Sequence, residues 1–117
     1  MSDLLTLKSA EYTAPSDRDM QISKTVVSQI QAMTLLGCGY YGSMSCGDQV
    51  TVLKFRLARA YGHREIVVRL NGADLYDVVV YRFGRNFAKI LVSEHSDIYC
   101  DQLDQIVYDG IAKSCER

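Results

Sequence analysis

The chain has 117 residues, 48% of them hydrophobic and 23% charged, and its thirteen basic and fourteen acidic side chains leave a formal net charge of −1. This length and composition suit one globular domain with a single core. The charge balance argues against both a strongly basic nucleic-acid binder and a heavily acidic nucleic-acid mimic, so electrostatic recognition has to come from local patches. No apolar run reaches the roughly 18–20 residues that cross a bilayer, and the start Met-Ser-Asp-Leu-Leu lacks the basic-then-apolar order of a signal peptide. The expectation is a cytoplasmic protein without membrane contact. The four cysteines, at 38, 46, 100 and 115, are expected as reduced thiols, because a chain with this many apolar residues needs no disulfides to hold its core.

In chain order, residues 1–15 carry Leu4, Leu5, Leu7 and Tyr12 without a clean period and end at the only proline, Pro15. They read as a tail or a short added strand ahead of one domain at 16–114, with a second tail at 115–117. Ser16 followed by Asp19 resembles an N-cap pair. Ile22, Val26, Val27, Ile30 and Met33 then recur at helical spacing and predict a helix over 17–34. Residues 36–48 hold Gly37, Gly39, Gly42 and Gly47 beside Tyr40 and Tyr41, a composition that predicts a flexible or tightly turned connection.

Thr51, Leu53, Phe55 and Leu57 alternate with Val50, Val52, Lys54 and Arg56, the period-two pattern of a half-buried strand. A loop through Tyr61, Gly62 and His63 leads to a second strand with Ile66, Val68 and Leu70 facing inward. Asn71-Gly72 signals a hairpin turn because both residues tolerate positive φ, and the loop through Asp74 delivers the chain to a third strand over 75–82 that points Tyr76, Val78 and Val80 inward. Gly84-Arg85-Asn86 turns the chain into a fourth strand over 87–93 with Ala88, Ile90 and Val92 inward. Ser96 or Asp97 then caps a last helix carrying Tyr99, Leu103, Ile106, Val107 and Gly110 on one face. The predicted fold is α+β, a four-stranded antiparallel meander with N- and C-terminal helices packed on one face in the order α-β-β-β-β-α.

Catalytic and metal chemistry finds little footing in these residues. No pair among the cysteines and the two histidines, His63 and His95, has the two-to-four-residue spacing of a zinc knuckle. No local pattern sets Cys46, Cys100 or Ser93 against a histidine and an orienting carboxylate. Gly37, Gly39 and Gly42 spell Gly-x-Gly-x-x-Gly, yet a helix precedes them and a strand follows, the reverse of a dinucleotide site. The expectation is a non-enzymatic protein with no cofactor and no metal.

The sheet face opposite the helices is predicted to display Val50, Val52, Lys54, Arg56, Val67, Arg69, Asp77, Val79, Tyr81, Lys89 and Leu91. Aliphatic side chains are costly to leave exposed together. They imply cover by the N-terminal tail, a homodimer, or docking of a protein or nucleic acid, with Tyr81 for stacking and Lys54, Arg56 and Arg69 for phosphates. Arg82 and Arg85, with Tyr61, His63 and Arg64, add positive charge in loops whose convergence depends on the sheet twist. Asp97, Asp101 and Asp104 are expected as a stripe on the last helix, either solvated or steering a basic partner.

The segments Leu70-Asn71-Gly72-Ala73-Asp74-Leu75-Tyr76-Asp77-Val78, Asp97-Ile98-Tyr99-Cys100-Asp101-Gln102-Leu103 and Gln31-Ala32-Met33-Thr34 resemble a group of small phage, prophage and mobile-element proteins without an assigned activity. The resemblance spans about residues 22–112 and departs from the group at 35–49. It implies an accessory protein that occludes a host protein or complex, with anti-defence inhibition of the anti-CRISPR kind as its most concrete form. A nucleic-acid-binding module using the basic open sheet face is the alternative.

Overall fold

The computed structural model describes residues 14–57, 62–84, 86 and 88–115. Helices α1 (Asp17–Ser28) and α2 (Ala32–Gly37) precede strands β1 (Tyr40–Ser45), β2 (Val50–Leu57), β3 (Gly62–Leu70), β4 (Tyr76–Phe83) and β5 (Lys89–Ile98). A 3-10 turn (Cys100–Gln102) and helix α3 (Leu103–Ser114) follow. The strands form one antiparallel sheet in the order β1-β2-β3-β4-β5. The α+β class stands, and the described residues form five strands rather than four.

α1 starts as its sequence suggests. Ser16 Oγ accepts from the Asp19 amide at 3.1 Å, and the Asp19 carboxylate accepts from the Ser16 amide at 2.8 Å, which completes a capping box. The other Asp19 oxygen accepts from the Gln49 amide at 3.0 Å and ties the helix start to the β1–β2 loop. The backbone bond from Ser16 is the main reason that the Asp19 carboxyl lies below its ordinary range, with the Ser16 hydroxyl and Gln49 amide acting in the same direction.

The helix expected over 17–34 is interrupted, because Gln31 is extended at φ −63° and ψ 141°. Its amide donates to the Asp104 carboxylate on α3 at 2.9 Å. A contact from the far end of the chain thus starts α2, while Ile30 turns into the core.

The extra strand, β1, lies in the stretch expected as a turned connection. Its residues, Tyr-Tyr-Gly-Ser-Met-Ser, have no apolar alternation to announce a strand. Gly39 makes the strand possible: its φ is +80°, its carbonyl accepts from the Arg56 amide at 2.9 Å, and an added Cβ would run into the Arg56 carbonyl oxygen. Tyr40 then pairs with Phe55 and Gly42 with Lys54, leaving Tyr41 as a bulge.

Two other boundaries differ from expectation. The β3–β4 connection is a loop through Asp74 as expected, but neither Asn71 nor Gly72 takes the positive φ that an Asn-Gly turn would use. The Asn71 side-chain oxygen accepts from the Ala73 and Leu75 amides, and the left-handed residue is Asp74, at φ 60°. β5 runs to Ile98 through two bulges, so Ser96 and Asp97 end a strand instead of capping a helix. The turn into α3 is closed by the Tyr99 amide donating to the Gln102 side chain at 3.1 Å.

The main core joins Ile22, Val26 and Ile30 of the first helical segment and Leu103, Val107 and Ile111 of α3 to Leu53, Phe55, Ile66, Val68, Val78 and Val80 of the sheet. These are the inward sets expected from the alternation. Gly110 lets α3 sit close to β4, since a Cβ there would lie 2.7 Å from a Val80 methyl. At the C-terminal end of α3, buried Arg64 donates from Nε to Ser114 Oγ at 2.7 Å and from Nη2 to the Ser114 carbonyl at 3.2 Å. A guanidinium on the last carbonyls suits the negative end of the helix dipole.

The opposite face carries a second buried cluster of Cys46, Val50, Val52, Val67, Val79 and Tyr81. The face was read correctly, but these side chains are buried rather than displayed. The N-terminal tail expected to cover part of it, residues 1–13 with Leu4, Leu5 and Leu7, lies outside the described residues, as do residues 116 and 117. Among the described residues no helix is long and apolar enough to cross a membrane.

Candidate functional site: the basic end of the sheet

Strand register decides where the charges collect. Arg56 pairs with His63, Arg64 with Arg82 and Phe83 with Lys89, so these residues share the end of the sheet where β2 finishes and β3 begins, Arg64 and Arg82 on the helical face and the others on the face away from the helices. Lys54, paired with Glu65, lies just inside it. Arg56, His63, Arg82 and Lys89 are exposed, and Lys54 and Glu65 are half-buried. The opposite end carries Asp48, Asp74, Asp97 and Asp101, all exposed. The two arginines there are engaged: Arg69 with Asp48 at 3.4 Å and Arg18 with the Gln49 side chain at 3.3 Å. The chain is nearly neutral overall and polarised along its strands.

A groove of about 210 Å³ opens at the basic end on the face away from the helices, lined by Tyr41, Lys54, His63, Arg64, Glu65 and Phe83. Tyr41 and His63 meet edge to face, with centroids 6.1 Å apart. Lys89 Nζ lies 4.5 Å above the Tyr81 ring and 3.8 Å from the Glu65 carboxylate. Aromatic walls with cations on the rim and one carboxylate inside can hold a side chain of an acidic surface in a fixed orientation.

The expected contact residues divide accordingly. Lys54, Arg56 and Lys89 lie at one end of the sheet on the face away from the helices; of the group whose convergence depends on the twist, His63 lies on that face, Arg64 and Arg82 lie at the same end on the helical face with Arg64 buried, and Arg85 and Tyr61 lie outside the described residues. Arg69 and Tyr81 do not belong to an accessible platform, being 6% and 7% exposed. The three aspartates form no helical stripe. Asp97 closes β5 at φ 56° and accepts from the Asn71 side chain at 3.0 Å, Asp101 lies in the 3-10 turn, and Asp104, on α3, accepts from the Gln31 amide just ahead of α2.

Cys46 bonds to Val50 at the start of β2 while His63 pairs with Arg56 near its end, roughly 20 Å apart at the rise of a strand. Burial, first of all, pushes the Cys38 and Cys46 thiols up, away from a reactive thiolate. Among the described residues no group of three or more His, Cys, Asp or Glu side chains is placed to hold a metal ion.

Pattern-reading along the sequence missed a second surface. Between Lys24 and Lys54 the only charged residue is Asp48, and this interval folds into α2 and β1. Met33 and Leu36 on α2 are 80% and 78% exposed, with Tyr41 and Met44 of β1 also in solvent. The charge-free interval was the available signal. Compared with protein-family models, curated proteins and solved structures, the chain matches none.

Proposed function

We propose that this chain is a binding protein without chemistry of its own, which covers an acidic patch on a partner protein with the basic end of its sheet. The observation that supports it is the collection of Lys54, Arg56, His63 and Lys89 at the end of the sheet that holds the Tyr41–Phe83 groove, with Arg82 at the same end on the helical face and the exposed Asp48, Asp74, Asp97 and Asp101 at the far end. A polarised surface orients an approaching partner and accelerates docking. Nucleic acid fits this arrangement less well. The sheet face offers no continuous track for phosphates, because Arg69 is bound to Asp48, Tyr81 is buried, and Glu65 sits among the remaining cations. The resemblance to mobile-element proteins supplies the setting, in which the partner is a host complex and anti-defence inhibition the consequence.

The test is capture of partners from nuclease-treated host lysate by the tagged chain and by its Arg56→Glu/Arg82→Glu variant. The expected result is a discrete protein partner retained after nuclease treatment and lost from the variant, whose circular dichroism and melting are those of the parent. Recovery of nucleic acid alone, or of a partner indifferent to the two charge reversals, would sink the proposal.

A further inference from the structure

The two edges of the sheet are not alike. β5 is guarded by Lys89, Glu94, His95 and Asp97 and by two bulges, the devices that keep a strand edge from pairing with another chain. β1 has no charge and no proline, and beyond the Tyr41 bulge it is regular from Gly42 to Ser45. Its outward hydrogen-bonding groups follow from the ladder. The Cys46 amide donates inward to the Val50 carbonyl at 2.8 Å, so by alternation Gly42 and Met44 also face β2, while the amides and carbonyls of Ser43 and Ser45 point away from it. Among the described residues β1 pairs with β2 alone. Beside this edge a groove of about 490 Å³ separates β1 from Met20, Lys24 and Val27 of α1, so the helix does not close the edge off.

We infer that β1 pairs antiparallel with β1 of a second copy of this chain, giving a two-fold dimer with a continuous ten-stranded sheet. The register that uses every outward group of the regular part of β1 places Ser43 of each copy opposite Ser45 of the other, with the two Met44 side chains meeting at the axis. Each Ser43–Ser45 pair exchanges two backbone hydrogen bonds. The strand suits itself because it carries no charge to repel its own image. The guarded β5 disfavours β1–β5 stacking, so the assembly closes as a dimer instead of growing into a filament. The axis runs perpendicular to the sheet, which keeps both helical layers on one face and sets the two basic ends at opposite extremes.

The test is sedimentation velocity of the full chain over a concentration series, with Ser43→Pro, Met44→Lys and Leu91→Lys variants. Proline at 43 removes an outward amide and leaves the β1–β2 ladder intact. Lysine at 44 brings two like charges together at the axis, and lysine at 91 acts on the β5 edge as a control. The expected result is a dimer in the wild type and in Leu91→Lys, weakened about tenfold or more in both β1 variants. Should Ser43→Pro fail to fold, Met44→Lys carries the test. A wild-type chain that sediments as a monomer throughout, or a dimer indifferent to the β1 substitutions, overturns the inference.

Discussion

His95 stands half-buried on β5, opposite Val78. Burial lowers its pKa from the ordinary 6.5; Lys113 pushes the same way and Asp109 opposes. The folded chain therefore holds His95 neutral at a pH where the unfolded chain has begun to bind a proton. Its contribution is present in full above 6.5 and is lost as pH falls through the folded value. Asp19, whose pKa is lowered from 3.8, adds a loss only further down. Urea midpoints should accordingly fall between pH 7 and pH 5, in the window of histidine titration, and fall less steeply in His95→Gln. Equal slopes in the two proteins would remove His95 from the account.

The two N-terminal helices differ in what starts them. α1 carries its own capping box, whereas α2 has no side-chain cap of its own and relies on Asp104, distant in sequence. Asp104→Ala should cost about 1 kcal/mol, the usual net value of one hydrogen bond, and speed amide exchange in α2 while leaving the start of α1 as protected as before. Exchange that rises equally in both helices would show that Asp104 supports the whole core rather than one helix start. The same reasoning explains why the 17–34 pattern reads as one helix. Ile22, Val26 and Ile30 do share the core, but the break at Gln31 is made by a carboxylate that the local sequence does not contain.

Taken as a whole, the molecule hides two thiols and shows one. Cys38 and Cys46 are 6% and 7% exposed, Cys100 is exposed, and Cys115 is half-buried at the end of α3. A neutral thiol reagent should label Cys100 first and Cys115 more slowly, reaching Cys38 and Cys46 only on the time scale of opening. Comparable labelling of all four by mass spectrometry would contradict the packing of Cys38 against the main core and of Cys46 against the valine face.

Much of the architecture was legible because a buried face leaves its period in the letters. Thr51, Leu53, Phe55, Ile66, Val68, Val78 and Val80 lie on the face that the alternation assigns them, and Leu103, Val107 and Gly110 share the inward side of α3. The α+β class and the antiparallel meander were determined by the sequence alone. β1 escaped because an edge strand of glycine, serine and tyrosine has too few buried positions to carry a period, and what holds it is a left-handed Gly39 bonded to Arg56. Of the candidate site, the residue types were readable and their grouping was not. Lys54, Arg56 and Lys89 are brought to one end of the sheet only through strand register, and Arg69, equally basic, is drawn to Asp48 at the other end. Periodicity reports which face a side chain takes, because that is a local property of the backbone. Tertiary structure alone decided how far each side chain is buried and which charges stand together, because both depend on neighbours distant in the chain.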